Sequence, residues 1–291
     1  MSASLTWSLV VPVKVLAEGK SRLADLAGPS RPALALAFAA DTVRAIIACA
    51  DVSEVTVVTD DPVAAAELEG LGAQVIADDP AAGLNPALVH GAGRASRRRP
   101  EAGIGALSAD LPALKPAELG RALRAAARWP EAIVPDASGV GTTLYTTRPG
   151  VPFRPRFGAG SRHRHVRAGA REVARLDVPG LRRDVDTPAD LAEAAALGLG
   201  PRTTALAADL LAGASGAFSQ RAIGPGGDHG RDQVAEGDQH RRGRLVGGGN
   251  GDLDPGVAAD LGEDGAPGAP RAAPGPRRAA PGAPGNRRRE P

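Results

Sequence analysis

The chain has 291 residues, with 35 Lys and Arg against 33 Asp and Glu, a formal charge of +2 and a single cysteine. The near-neutral balance argues against electrostatic adhesion to nucleic acid as the main role, and Cys49 standing alone excludes a disulfide framework or a multi-cysteine zinc site and suits a reducing cytoplasm. No run of about 18 apolar residues and no basic, apolar, cleavable start is present, so neither a membrane span nor secretion is expected.

In chain order, residues 7–13 (WSLVVPV) form a continuous apolar run, the pattern of a strand covered on both faces. Residues 32–49 follow as a helix with Leu34, Phe38, Ile46 and Cys49 near one face and Ser30 placed to cap it. Cys49 reads as a small buried hydrophobe. Residues 55–59 predict a second strand, 62–69 a short helix stopped by Gly70 and Gly72, and 73–77 a third strand. Gly83-Leu84-Asn85-Pro86 opens another helix, with Asn85 as cap, Pro86 at the first position and His90 as a structural residue within it. Residues 103–108 are a strand leading into Asp110, 116–128 an Ala-rich helix, and 132–134 and 142–147 further strands. Thr187 caps a later helix, with Pro188 next, Asp190 three positions on and Gly198 as its stop. This alternation predicts an α/β fold, a three-layer sandwich with a mainly parallel sheet.

Residues 213–291 break the pattern: they hold 19 of the 38 glycines and 9 of the 26 prolines, but only eight large apolar or aromatic residues. Such a segment cannot offset the roughly 1–2 kcal/mol per residue lost on ordering a backbone, so a disordered Gly/Pro/Arg-rich tail is expected. Residues 1–212 then make one domain of a size that holds a full core.

In open sheets ligands gather where strands end and loops begin, and four such places carry chemistry. The loop Val13-Lys14-Val15-Leu16-Ala17-Glu18-Gly19-Lys20-Ser21-Arg22 sets three cations around a polar turn, and Lys14 and Lys20 are two of only three lysines in the chain. Point charges and a forked guanidinium on one loop suit a triphosphate, although the spacing of a Walker loop is missing. Asp110, after an apolar strand and before a Pro turn, puts a carboxylate at the sheet's carboxyl edge, where a hard cation such as Mg²⁺ takes oxygen ligands; a plain capping role is the alternative. Asp184 and Asp186, two apart in an extended segment, point to one side and can address one metal centre, or simply decorate the next helix. The small residues of Arg156-Phe157-Gly158-Ala159-Gly160-Ser161 allow close approach of N–H groups to an anion, with Ser161 as a helix cap. Gly141-Thr142 offers a further N–H and hydroxyl, and Asn85 an amide for a nucleobase or ribose.

Taken together, VPVKVLAEGKSRLA, VTVVTDD, GLNPAL, ALSADLPAL, GVGTTLYTT, RFGAGSRHRH and GLRRDVDTPADL resemble, in order and spacing, the phospholactate/phosphoenolpyruvate guanylyltransferases of coenzyme F-420 biosynthesis over residues 7–205. The resemblance implies a nucleotidyltransferase fold of the molybdopterin-guanylyltransferase-like, Rossmann-like kind, with GTP as substrate and Mg²⁺ as cofactor. It implies phosphoenolpyruvate contacts at Thr142, Gly158 and Ser161 and metal ligands at Asp110, Asp184 and Asp186. Lys14, Lys20, Arg22 and Asn85 are the expected nucleotide contacts, and Asp110, Asp186 and Lys20 the expected catalytic set. The expected reaction condenses phosphoenolpyruvate with GTP in the cytoplasm, without membrane or nucleic acid, for a downstream transferase that takes the activated product. Transfer to 2-phospho-L-lactate is the alternative acceptor reading, and a non-catalytic guanine-nucleotide-binding regulatory module the alternative of another class.

Overall fold

The structure, a computed structural model, describes residues 5–79, 81–173 and 176–208. The expected disordered tail and the domain boundary at residue 212 lie outside the described residues. Among the described residues no helix is long and apolar enough to cross a membrane.

Strand β1 (Trp7–Pro12) is buried on both faces, as its unbroken apolar run requires. Leu9 and Val11 point to one layer, where α2 (Arg31–Ile47) packs, and Val10 to the other, where α4 (Leu84–Arg98) packs. Gly91 on α4 makes the second contact close, since a Cβ there would lie 2.6 Å from Val10 and 2.8 Å from Val58. The expected face of α2 is buried throughout, but it serves two cores. Ile46, with Cys49 beyond the helix end, joins the main cluster, whereas Leu34 and Phe38 join a smaller one with Leu23, Val185 and Leu191. Cys49 is free and buried, its thiol pushed up by that burial.

Among the described residues the sheet has seven strands in the order β3 (Gln74–Ile76), β2 (Val52–Val58), β1, β4 (Gly103–Leu107), β6 (Thr142–Thr147), β5 (Glu131–Pro135), β7 (Arg171–Glu172). Only β6 runs antiparallel to its neighbours β4 and β5. That reversal positions the site. The start of β6 lies beside the end of β4, where Ser108 N–H donates to the Thr143 carbonyl at 3.0 Å. The remaining helices are α1 (Ala24–Ala27), α3 (Pro62–Gly70), α5 (Pro116–Ala126), α6 (Ser161–Arg167), α7 (Pro179–Arg182) and α8 (Pro188–Leu197), with a further helix through 201–208.

The helix ends correct three expectations. Helix α4 begins at Leu84 with Gly83 (φ +98°) as its cap, so Asn85 is already inside the first turn. Ser161 likewise follows the cap of α6, which is Gly160 at φ +64°. Ser30 holds the cap position of α2 without a side-chain hydrogen bond. The cap of α8 is as expected: the Thr187 hydroxyl accepts from Asp190 N–H and the Asp190 carboxylate accepts from Thr187 N–H, a reciprocal box.

Candidate active site

The loop after β1 is pinned at one buried point. Asp61 accepts the Leu16 N–H at 2.9 Å on one carboxylate oxygen and those of Val63 and Ala64, both at 3.0 Å, on the other. Three N–H donors outweigh the cost of burying the carboxylate and hold Asp61 below the ordinary aspartate value. Past this anchor the chain turns through Lys20, a non-glycine residue in the left-handed region at φ +56°. The turn sends the Lys20 ammonium between Asp110 and Asp186, bonded to the first and 2.7 Å from the second. Burial opposes charge on Lys20, but the two carboxylates more than offset it, and its pKa lies above the ordinary lysine value.

The two carboxylates come from distant segments held together by backbone. Val185 N–H donates to the Asp110 carbonyl at 3.0 Å, and Ala137 N–H to the Arg182 carbonyl at 2.7 Å. On the α2 side, Thr42 Oγ1 accepts Leu111 N–H at 3.0 Å and fixes the turn after Asp110. Asp184 is half-buried, and burial, then the charge of Asp110, pushes its carboxyl up to about 7. Asp110 Oδ1 is buried without a hydrogen-bond partner. Among the described residues no three Asp, Glu, His or Cys side chains already converge as a ligand set. Lys20 occupies the position between two of the expected ligands.

Lys14, Lys20, Asp110 and Asp186 line one cleft of about 380 Å³ with Ser108 and Leu84. Lys14 also lines a second hollow of about 230 Å³ with Val58, Asp60, Asp78 and Ala87. The two share Pro12, Val13, Lys14, Glu18 and Leu84, so they form one groove along the carboxyl ends of β1 and β2. Arg22 is exposed on the 3₁₀ turn Ser21–Leu23 and is not among the lining residues. The sequence reading missed Asp60 and Asp78, and also the anchor Asp61, although all three follow strands. Asp78 has a buried oxygen, Oδ1, with no partner.

The expected acceptor residues gather around α6. Thr142 and Ser161 are buried, and Ser161 N–H donates to the Gly158 carbonyl at 3.0 Å. Gly158 lies at φ +116°, where a side chain is strained and a Cβ would also approach Arg164 to 3.0 Å. Gly141 N–H, expected to face an anion, is taken by the Asp136 carboxylate at 2.9 Å. Asn85, expected at the nucleoside, spends its amide on the loop instead. Its nitrogen donates to the Phe157 carbonyl at 3.1 Å, and its oxygen accepts Phe157 N–H at 2.8 Å. His90 sits near Asp79 at 3.6 Å, outside both clefts.

Residues 7–209 match the family described as guanylyl transferase CofC like. The chain is 65% identical over 219 residues to the phosphoenolpyruvate guanylyltransferase of Thermomonospora curvata, which covers 75% of this chain and 96% of that one. It is 58% identical over 209 residues to the phosphoenolpyruvate guanylyltransferase of Streptomyces coelicolor, covering 71% and 98%. Among solved structures, a protein of Desulfovibrio desulfuricans G20 named for nucleotide-diphospho-sugar transfer superposes with a TM-score of 0.55 over 75% of this chain and 98% of that one. At 16% identity it shows a common fold. A family match running from β1 into the helix after α8, with such identity across nearly the full length of two relatives, means that this chain belongs to the CofC-like guanylyl transferases.

Proposed function

We propose that this protein condenses phosphoenolpyruvate with GTP, giving enolpyruvyl-diphospho-5'-guanosine and pyrophosphate for coenzyme F-420 biosynthesis. The observation that carries the reading is the Lys20 ammonium held between Asp110 and Asp186 in a groove that begins at Lys14. The names of the two bacterial relatives support the acceptor.

A phosphate oxygen of phosphoenolpyruvate, already ionised near pH 7, attacks the α-phosphorus of GTP. The bond from that phosphorus to the α,β-bridging oxygen breaks, and pyrophosphate leaves with the electron pair. Such a nucleophile needs no general base. The work left to the chain is to hold two polyanions in line against their repulsion, by position and by charge. Lys14 and Lys20, which line the groove, hold the triphosphate, Arg22 adds its charge from the exposed turn after Lys20, and the nucleoside lies in the limb lined by Asp60, Asp78 and Leu84. Asn85, next to the groove residue Leu84, holds the Phe157 backbone of the acceptor loop that carries Gly158 and Ser161. Thr142, Gly158 and Ser161 receive phosphoenolpyruvate.

The residues around Lys20 fit a divalent cation of the Mg²⁺ kind. The donors are all carboxylate oxygens, as a hard cation requires; one of them, Asp110 Oδ1, is buried without a partner, and an ammonium is already drawn between two of the three groups. Asp110, Asp184 and Asp186 would hold the cation, which when bound neutralises charge on the phosphates. With the carboxylates engaged in this way, the Lys20 ammonium would be available to the triphosphate. Residues 1–212 form the catalytic unit, which works in the cytoplasm and hands its product to a downstream transferase.

Incubating the purified chain with GTP, Mg²⁺ and either phosphoenolpyruvate or 2-phospho-L-lactate, and measuring pyrophosphate, tests the reading. Faster release with phosphoenolpyruvate is expected; an equal or better rate with phospholactate overturns the acceptor assignment. Asp186→Asn is expected to cut turnover by about a hundredfold or more. Unchanged turnover would remove Asp186 from the catalytic set, whereas a wild type that binds GTP and releases no pyrophosphate with either acceptor would point instead to a regulatory nucleotide-binding module.

A further inference from the structure

His165 is used by no step above, yet it is among the most constrained side chains in the molecule. It sits on α6 with 1% of its surface exposed. Its ring stacks on Tyr145 of β6 at 4.8 Å between centroids and 17° between planes, and meets Phe157 edge-on at 5.4 Å. Both ring nitrogens have partners. Nε2 accepts the backbone N–H of Arg156 at 2.8 Å, and Nδ1 lies 3.2 Å from Thr142 Oγ1.

The first of these contacts dictates the second. A nitrogen that accepts an N–H keeps its lone pair and carries no proton, so the proton of a neutral ring must be on Nδ1. Nδ1–H then donates to Thr142 Oγ1, and the Thr142 hydroxyl must direct its own proton elsewhere. Two neighbouring threonines on the same strand show the contrast. Thr143 and Thr146 donate to the carbonyls of Val134 and Ala132, at 3.5 and 3.3 Å. Among the described residues Thr142 Oγ1 has no hydrogen-bond partner besides His165. A buried hydroxyl with one acceptance filled and its proton unspent is a donor waiting for an anionic oxygen.

We propose that His165 is a positioning residue: its Nδ1–H form turns the Thr142 hydroxyl into a fixed donor to a phosphate or carboxylate oxygen of the acceptor, while Nε2 ties the Arg156–Gly158 turn to the same ring. The assignment rests on the reading that Thr142 contacts phosphoenolpyruvate. The environment favours the required neutral ring: burial first, and then the charges of Arg156 and Arg164, outweigh an opposing hydrogen bond with the Ser161 backbone and hold His165 down to about 4. A charged ring would set Nε2–H against the Arg156 N–H, donor to donor.

Two measurements on the full chain test this. The long-range ¹⁵N–¹H spectrum of histidine-labelled protein without substrate, assigned by difference from His165→Phe, reads which ring nitrogen carries the proton. Protonated Nδ1 with bare Nε2 is expected at pH 7, and protonated Nε2, or both, overturns the proposal. Steady-state kinetics of His165→Phe, which keeps an aromatic ring for Tyr145, should show the KM for phosphoenolpyruvate raised about tenfold with the KM for GTP unchanged. Thr142→Val should act alike, and the double variant should be no worse than Thr142→Val alone. Effects that multiply, or a matching rise in the KM for GTP, would make His165 a merely structural residue. If His165→Phe fails to fold, His165→Leu, which likewise removes both ring nitrogens, is assigned in the same way and serves both measurements. Absence of turnover in the wild type would count against the functional reading alone, since the ring's protonation is read with no substrate present.

Discussion

Lys20 carries a backbone cost of the order of 1 kcal/mol for a non-glycine residue at φ +56°. Glycine would remove that cost and also the ammonium between Asp110 and Asp186, so the chain holds strain where it needs charge. The residue types here were legible in the sequence because loop lysines are rare in it and Asp184 and Asp186 are two apart. Their partnership was not. Nothing in the spacing says that Lys20 rests on the carboxylates in the absence of ligand, or that Asn85 serves the Phe157 backbone, because both depend on loops 72 or more residues apart. His165 yields a prediction about stability. It titrates at about 4 in the fold against an ordinary 6.5, so the unfolded chain takes up a proton first as pH falls. The stabilisation is whole above pH 6.5 and lost on the way to 4, amounting to about 2 kcal/mol by pH 5. Asp184, held up near 7, tilts the curve the other way in wild type and variant alike, and cancels in their difference. Urea unfolding at pH 7 and pH 5 should therefore show the wild type losing about 2 kcal/mol relative to His165→Phe; parallel losses would mean that His165 is charged in the fold.

At the scale of elements, Asp61 couples the start of α3 to the loop after β1. Its removal deletes a cap, usually about 1 kcal/mol, and also leaves the buried Leu16 N–H without a partner. Asp61→Ala is expected to destabilise the fold by about 2–3 kcal/mol in urea unfolding. It should also raise the KM for GTP more than that for phosphoenolpyruvate, because it frees the lysine loop and leaves α6 untouched. Equal effects on both substrates would mean that the loop keeps its shape without the anchor. Elements of this kind were readable wherever a local signal set them. The Thr187-Pro188-Asp190 box and the apolar run of β1 needed no tertiary partner to declare themselves, and β6 occupies the residues expected of it. The position of β6 was hidden. A strand buried at all six residues reads the same whichever neighbour it pairs with, and its insertion between β4 and β5 is decided by packing. The Asp, Ser and Gly residues of 136–141 did carry a hairpin signal for β5 and β6. The short turns of α1, α7 and the 3₁₀ segments lack a full period, so periodicity could not find them.

Across the whole molecule, one reversed strand brings Thr142 to the edge where β4 releases Asp110, and the 182–186 segment crosses back to both. The cationic loop, the carboxylates and the acceptor turn are thus all set by a sheet whose last strand ends at Glu172, and the match to the family ends at residue 209. The last inward anchor comes shortly before. Asp41 of α2 accepts Arg202 N–H at 3.1 Å and Thr203 N–H at 2.7 Å, which fixes the start of the 201–208 helix against the body. Every residue assigned a role therefore lies upstream of a segment that carries eight large apolar groups among 79 residues. Ending the chain after Ala212 keeps the Asp41 anchor and the whole family match. Pyrophosphate release by that shortened protein should equal that of the full chain within about twofold, and its urea midpoint should be unchanged, since a segment so poor in apolar surface has little to bury. A tenfold fall in turnover at an unchanged midpoint would assign the last 79 residues a part in the reaction, and a lowered midpoint would assign them a part in the fold.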